Sequence, residues 1–259
     1  MNYLMQQFEE VRHAIACGKD LRDVLTIKWY VQQLMAEQIG RYLSPSSSVL
    51  EVGCGGSLTL HFLSLLGHNA TGVDINPKCL QYTVTLRAAL ESNATIVRGD
   101  AFDLPFGQGQ FDYVYSVGMI EHYPVDRQWL GFEEMRRVSR EYVHLEVPNP
   151  HPLSTFYTVG LVSDETHFQC NPGLLMDKSH CAVVDVDGRC VFNTLGEVKK
   201  NPPLHAFMLD RAPHLLSESF AAADIPRLCE AEKSISCAER LVYGFQLSWI
   251  ARLNGAASQ

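Results

Sequence analysis

The chain has no apolar run approaching the roughly 18 residues that a bilayer span needs, although 46% of its 259 residues are hydrophobic. Nor does it have an excess of base: 21 lysines and arginines face 29 aspartates and glutamates, for a formal net charge of −8. A nucleic-acid footprint is normally a basic patch or stripe, so no nucleic-acid partner is expected, and the missing span argues against a membrane. No C-x-x-C knuckle is present. The eight cysteines are scattered without a compact framework, which suits a reducing compartment better than an export route. The first twenty residues, MNYLMQQFEEVRHAIACGKD, mix charges of both signs through their apolar residues, unlike a signal peptide. Internal repeats and low-complexity segments are lacking as well. These absences leave a soluble, acidic, cytoplasmic globular chain as the expectation, and nothing in them specifies an oligomeric state.

What is present changes period along the chain. Residues 1–43 read as a helical arm: Leu4, Phe8, Val11 and Ile15 recur at helical spacing, Gly18 interrupts, and a second stretch runs from Leu21 to Leu43. SPSSS at 44–48 separates the arm from a series of short β-rich runs. These are VLEV (49–52), ATGVDI (70–75), TIVRGD (95–100), FDYVYSV (111–117) and YVHLEV (142–147), with helices expected over 58–66, 77–91 and 126–139. Gly67 suits a helix C-terminus, and Asn76-Pro77 an N-cap with proline at the first helical position. Such alternation predicts an α/β fold with a mostly parallel sheet covered on both faces. After Pro148 the regularity fails. AVVDV (182–186) and RCVF (189–192) around Asp187-Gly188 predict a hairpin, 213–224 a helix, and 228–235 with 241–253 two consecutive, antiparallel strands.

The chemistry begins at VLEVGCGGS, residues 49–57. Gly53, Cys54, Gly55 and Gly56 form a strand-to-helix turn that lets a ligand lie against bare backbone, at the strand end where open α/β sheets bind ligands. A dinucleotide fingerprint would need a third glycine where Leu58 stands, which disfavours a nicotinamide enzyme. Asp74 ends the second strand, where a carboxylate can accept both hydroxyls of a ribose. Asp100 follows the third strand, where it can accept from an exocyclic amine. Three acids at adjacent strand ends, Glu51 included, favour a cationic ligand.

VLEVGCGGS, GVDINP and GDAFDLPFGQGQFDYVYSVGMIEHY, with the final paired strands, resemble the class I S-adenosylmethionine-dependent methyltransferases, and most closely the type 11 branch with small-molecule acceptors. The likeness covers 45–148 strongly and 204–253 more weakly. It implies a Rossmann-like sheet of seven strands with the last antiparallel, S-adenosyl-L-methionine across the strand ends, and methyl transfer by in-line displacement. Carried over by position, Glu51, Gly53, Cys54 and Gly55 hold the methionine part and ribose. Asp74 binds the ribose diol, Ile75 lies against the adenine, Asp100 and Ala101 flank its edge, and Ser116 with Val117 lies under the transferring end. The partner implied is a small-molecule methyl acceptor with an oxygen, nitrogen or carbon nucleophile. The alternatives are a protein or nucleic-acid methyltransferase and a cofactor-binding subunit without turnover.

Glu121-His122-Tyr123 follows the fourth strand. His122 is the candidate base by placement and by its ordinary near-neutral pKa, and Glu121 the second catalytic candidate. His151, His167, Cys170, His180, Cys181 and Cys190 lack zinc-site spacing, so no metal is expected. Within one methyltransferase domain over 1–259, residues 44–148 form the cofactor-binding core and 149–205 an inserted substrate lid. Phe156, Tyr157, Phe168 and Leu174 supply its apolar material, and 206–253 complete the sheet. Trp29-Tyr30 on the arm is read either as a cover for the cofactor or as core.

Overall fold

The computed structural model describes residues 2–149, 170–179, 181–189, 202–211 and 219–253 except 245, with isolated positions between. Three helices open the chain: α1 (Asn2–Ala16), α2 (Leu21–Val24) and α3 (Thr26–Gly40). Gly18 breaks the series at φ +65°. The Asp20 carboxylate then caps α2 by accepting the Arg22 N–H at 2.8 Å.

Strand and helix next alternate: β1 (Ser48–Val52), α4 (Thr59–Leu65), β2 (Asn69–Asp74), α5 (Pro77–Ala89), β3 (Thr95–Arg98) and β4 (Phe111–Val117). A 3-10 turn (Ile120–His122), α6 (Val125–Val138) and β5 (Ser139–Pro148) follow. Gly67 ends the α4 turn at φ +91°. The Asn76 side chain accepts the Lys78 N–H at 2.9 Å, capping a helix whose first residue is Pro77. The remaining elements are α7 (Pro172–Lys178), β6 (Ala182–Arg189), α8 (Pro202–Arg211), α9 (Ile225–Ser234), α10 (Cys237–Tyr243) and β7 (Gln246–Arg252).

The seven strands form one sheet in the order β3-β2-β1-β4-β5-β7-β6. β1, β2, β3, β4 and β5 pair in parallel. β7 runs against β5: the Leu253 N–H reaches the Glu141 carbonyl at 2.8 Å, whereas Ser248 meets His144, later on β5. Period-2 alternation sends Leu50, Val52, Val114, Val143, Leu145 and Val147 to one core. Val49, Tyr113, Tyr115 and Ile250 go to another. Each such side chain, fully buried, contributes about 1.5–3 kcal/mol. Some polar groups on the second face are linked in hydrogen-bond chains. His144 lies between the Tyr113 hydroxyl (3.1 Å) and the Ser248 hydroxyl (2.8 Å). On β6, Asp185 accepts from Gln38 and Tyr42 at 3.2 and 3.1 Å.

By packing, the chain divides into two units. The sheet unit comprises 35–147, 166–186 and 248–259. A helical unit collects 1–34, 148–165 and 187–247. The helical unit has a core of its own, in which Tyr30, Val31 and Leu34 meet Ile225, Leu228 and Cys229. Tyr30 of the aromatic pair is thus core, with Trp29 packed beside it.

Three expectations for the C-terminal third need correction. Asp187-Gly188 is not a hairpin turn but lies within β6; the second arm of that hairpin, 190–192, falls outside the described residues. Asp187 accepts a two-pronged ion pair from Arg240 at 3.0 and 2.8 Å, and a Cβ on Gly188 would meet the Arg240 carbonyl oxygen at 2.1 Å. Glycine is there for close backbone approach. Residues 228–235 lie in helix α9, because Ile225, Leu228, Cys229 and Glu232 bury one helical face. Of the helix expected over 213–224, residues 214, 215, 217 and 218 fall outside the described residues, 219–221 are not helical and 222–224 are a 3-10 turn; α-helix lies at 202–211 and 225–234. Of 241–253 only β7 is strand, since Ser236 and Glu239 form a capping box that starts α10.

Candidate functional site

The turn after β1 is built around two positive-φ glycines, Gly53 (φ +80°) and Gly56 (φ +71°). The Gly53 and Cys54 N–H groups both donate to the Val73 carbonyl on β2, at 2.9 and 3.1 Å. Thr83 of α5 fastens the far side. Its hydroxyl accepts the Gly56 N–H at 3.0 Å and lies 2.9 Å from the Cys54 carbonyl and 3.0 Å from that of Cys79. Beneath Gly56 the buried Tyr82 ring leaves no room for a side chain.

This turn borders a cleft of about 210 Å³ across the carboxyl ends of β1, β2 and β3. Gly53, Asp74, Ile75, Asp100 and Ala101, all within the motifs, line it. Asp74 Oδ1 accepts the Asn76 N–H at 2.8 Å, which fixes the carboxylate at the strand end. Burial raises the Asp74 pKa, and the N–H groups of Asn76, Gly55 and Ile75 oppose the rise. The Asp100 carboxylate accepts the Phe102 N–H at 3.0 Å. Ile75 is 52% exposed, an apolar surface suited to a flat ring.

Other expected residues lie elsewhere. Glu51 is buried outside the cleft lining and accepts the Tyr115 hydroxyl at 2.7 Å. Of the three acids expected there, Asp74 and Asp100 line the cleft among the described residues and Glu51 lies behind it. Burial and then the Glu51 charge push the Tyr115 pKa up. Cys54 is buried too, its thiol held protonated first by burial and then by the charges of Glu51 and Asp74. Gly55 stands beside Asp74; a Cβ on it would lie 3.2 Å from Asp74 Oδ2. Ser116 and Val117, at the end of β4, are paired with Leu145 and Glu146 of β5 rather than set in the cleft wall. His122 is exposed and outside the lining, whereas Glu121 is buried. Of the residues considered for a lid, Phe156, Tyr157 and Phe168 lie outside the described residues, as do His167, His180 and Cys190.

Besides Val52, Val73 and Gly99 at the strand ends, four lining residues not named as site residues make a further wall: Phe102, Met119, Tyr123 and Arg127. The Phe102 and Tyr123 rings meet edge to face at 4.7 Å, and the Arg127 guanidinium lies 4.0 Å from the Phe102 ring centre. Burial, then Asp100 and Asp74, raise the Tyr123 pKa, so its hydroxyl stands in the field of both cleft carboxylates. The only signal for this wall was the stretch 118–123 after β4. The loop 104–110 is strapped to α6: Arg137 donates to the carbonyls of Phe106 (2.8 Å) and Leu104 (3.0 Å), and Glu134 accepts the Leu104 N–H at 2.8 Å.

Sheet order and cleft position define the general class, an open α/β protein with its ligand crevice at the strand ends. A family model described as a methyltransferase domain matches residues 49–141. An uncharacterized methyltransferase of Synechocystis sp. is 32% identical over 155 residues, 55% of this chain and 70% of that protein. Ajmaline N-methyltransferase of Rauvolfia serpentina is 36% identical over 95 residues, 36% of this chain and only 32% of the relative. A solved SAM dependent methyltransferase from Archaeoglobus fulgidus shares the fold, with a TM-score of 0.56 at 18% identity over 86% of this chain and 94% of that one. The chain belongs to the class I S-adenosylmethionine-dependent methyltransferases. It is an enzyme of that family, and its methyl donor is S-adenosyl-L-methionine.

Proposed function

We propose that the protein methylates a small-molecule acceptor at oxygen, nitrogen or carbon, with the nucleoside half of S-adenosyl-L-methionine held in the cleft over β1, β2 and β3. The observation that carries this reading is the pairing of two cleft carboxylates, Asp74 and Asp100, with the exposed apolar face of Ile75. Asp74 accepts the ribose hydroxyls, Asp100 and Ala101 take the adenine edge, and Ile75 covers the ring. Gly53, Cys54 and Gly55 keep side chains out of the way. Glu51 acts from behind the turn, and Ser116 and Val117 close the floor at the end of β4. When bound, the donor supplies a methyl group on a sulfonium sulfur. The chain's own contribution is alignment and exclusion of water, which account for much of the rate in such displacements.

A small acceptor is favoured by the net charge of −8, by the acidic cleft, and by a relative named for N-methylation of ajmaline. Residues 44–148 serve as the cofactor-binding core of a single catalytic domain; the acceptor lid does not extend over all of 149–205, because Leu175 and Met176 pack in the sheet core and 182–189 form strand β6. No helix among the described residues is long and apolar enough to cross a membrane, and a cytoplasmic location goes with this reading. The test incubates the protein with S-adenosyl-L-methionine labelled on the methyl group and a cell extract split into small molecules, protein and nucleic acid. Label is expected in the small-molecule fraction. Label confined to protein or nucleic acid would overturn the reading.

A further inference from the structure

The helical unit holds a cavity that methyl transfer leaves unused. It lies between α3 and α9 and measures about 340 Å³, against about 210 Å³ for the cofactor cleft. Trp29 of α3 lines one side, and Ile225, Pro226 and Cys229, in the first two turns of α9, line the other. Aromatic and apolar surface on both sides suits a flat ligand. The two ends of the cavity are polar. At one end Arg22 stands beside Ala222 and the start of α9, a closeness fixed by its neighbour Asp23, which accepts the Ala222 N–H at 2.9 Å. At the other end Lys233 lies two turns along α9 from Ile225, about 12 Å at 1.5 Å per residue.

The charges around this cavity leave room for an anion at the Arg22 end. Asp20 accepts from Arg22 Nε at 3.0 and 2.9 Å and from Nη2, which occupies one edge of the guanidinium fork. Nη1, on the other edge, has no hydrogen-bond partner among the described residues. Asp23 is taken by Ala222, and Asp224 accepts the Ala221 N–H at 2.9 Å and Arg227 at 2.6 Å. Turned to those partners, the Asp224 side chain does not cap α9, so the partial positive charge of the helix start has no capping carboxylate. Glu230 also lines the cavity, but its side chain is 78% exposed to water. We propose that this cavity is a second small-molecule site, and that its ligand is a flat organic anion: an aromatic ring carrying one carboxylate. The ring lies between Trp29 and the apolar residues of α9. The carboxylate takes the Nη1 edge of Arg22, whose planar fork matches a carboxylate in two-pronged geometry. The site stands whether the methyl acceptor is a small molecule or a macromolecule.

The probe is 2-naphthoate, with 2-naphthamide as its uncharged counterpart. Protein made with 5-fluorotryptophan gives one fluorine resonance for each of its three tryptophans, and Trp29→Phe identifies the one from residue 29. 2-Naphthoate is expected to shift the Trp29 resonance saturably and to leave those of Trp129 and Trp249 in place. The amide should bind about 10- to 100-fold more weakly, the worth of hydrogen bonds to a charged group. Arg22→Gln should weaken the acid by a similar factor while holding the amide within about twofold, which also shows that the variant keeps its fold. S-adenosyl-L-methionine affinity by calorimetry should be the same with and without saturating 2-naphthoate. A Trp29 resonance that 2-naphthoate does not move, an acid and amide that bind alike, or an Arg22→Gln protein that binds the acid as wild type does would overturn the site. Mutual displacement of 2-naphthoate and the methyl donor would show that the probe occupies the cofactor cleft and would overturn it as well.

Discussion

Gly56→Ala puts the turn that borders the cleft under direct strain. At φ +71° an alanine pays the left-handed penalty of about 1–2 kcal/mol. Its methyl group would also fall 2.5 Å from two carbons of the Tyr82 ring, which is fully buried and has nowhere to swing. The backbone cannot retreat either, because Thr83 holds the Gly56 N–H. Overpacking of this kind costs about 1–3 kcal/mol more, for a total of about 2–5 kcal/mol. At about 2–4 °C per kcal/mol for a chain of this size class, melting should fall by roughly 5–20 °C. Gly67→Ala is the matched control in the same unit: φ is +91°, but nothing lies within 4 Å of the new methyl. It should lose only the backbone part, about 1–2 kcal/mol. Melting followed by circular dichroism separates the two, and a Gly56→Ala protein no less stable than Gly67→Ala would refute the steric argument.

Asp74→Ala should weaken S-adenosyl-L-methionine binding by about 10- to 100-fold in calorimetry, the worth of one or two hydrogen bonds to a charged acceptor; unchanged affinity would remove the ribose assignment. Tyr115→Phe deletes a buried hydrogen bond to Glu51 and should cost about 1.5–3 kcal/mol in urea unfolding. Burial lowers the His61 pKa to about 4, so its contribution is intact above about 6.5 and is lost as pH falls from there toward 4, on the order of 3 kcal/mol. Glu121, raised to about 7, acts in the opposite sense, since its penalty is present above 7 and is relieved as pH falls toward 4.5. Melting of the wild type should therefore change little between pH 7 and 5 on their account. His61→Gln should gain relative stability on acidification, and Glu121→Gln should be the more stable protein at pH 8 but not at pH 5.

The part of the molecule that could be read from sequence is the part where local chemistry and global fold agree. From Val49 to Val147 strands alternate with helices, and Gly67 and Asn76-Pro77 perform the local tasks their residue types suggest. Asp74, Ile75 and Asp100 were legible because each ends or directly follows a strand, and a strand end in an open sheet is a ligand position. The opposite wall was not, since Phe102, Tyr123 and Arg127 come together only through tertiary packing, ring edge on ring face and guanidinium over ring. The direction of Glu51 was not legible either: period 2 turns it toward Tyr115, from which it accepts a hydrogen bond. Gly188 is the plainest failure. An Asp-Gly pair signals a hairpin, but a backbone approach from Arg240, far along the chain, demands the same glycine.

That the helical core joins Tyr30, Val31 and Leu34 to Ile225, Leu228 and Cys229 has a consequence for birth on the ribosome. Asp23 finds its partner, the Ala222 N–H, 199 residues later. At about 5–20 residues per second the amino-terminal helices emerge roughly 10–40 s before the segment that covers them exists. All that time their apolar faces are open to chaperones or to other nascent chains. These helices are thus finished only after a partner segment 199 residues further along has been made.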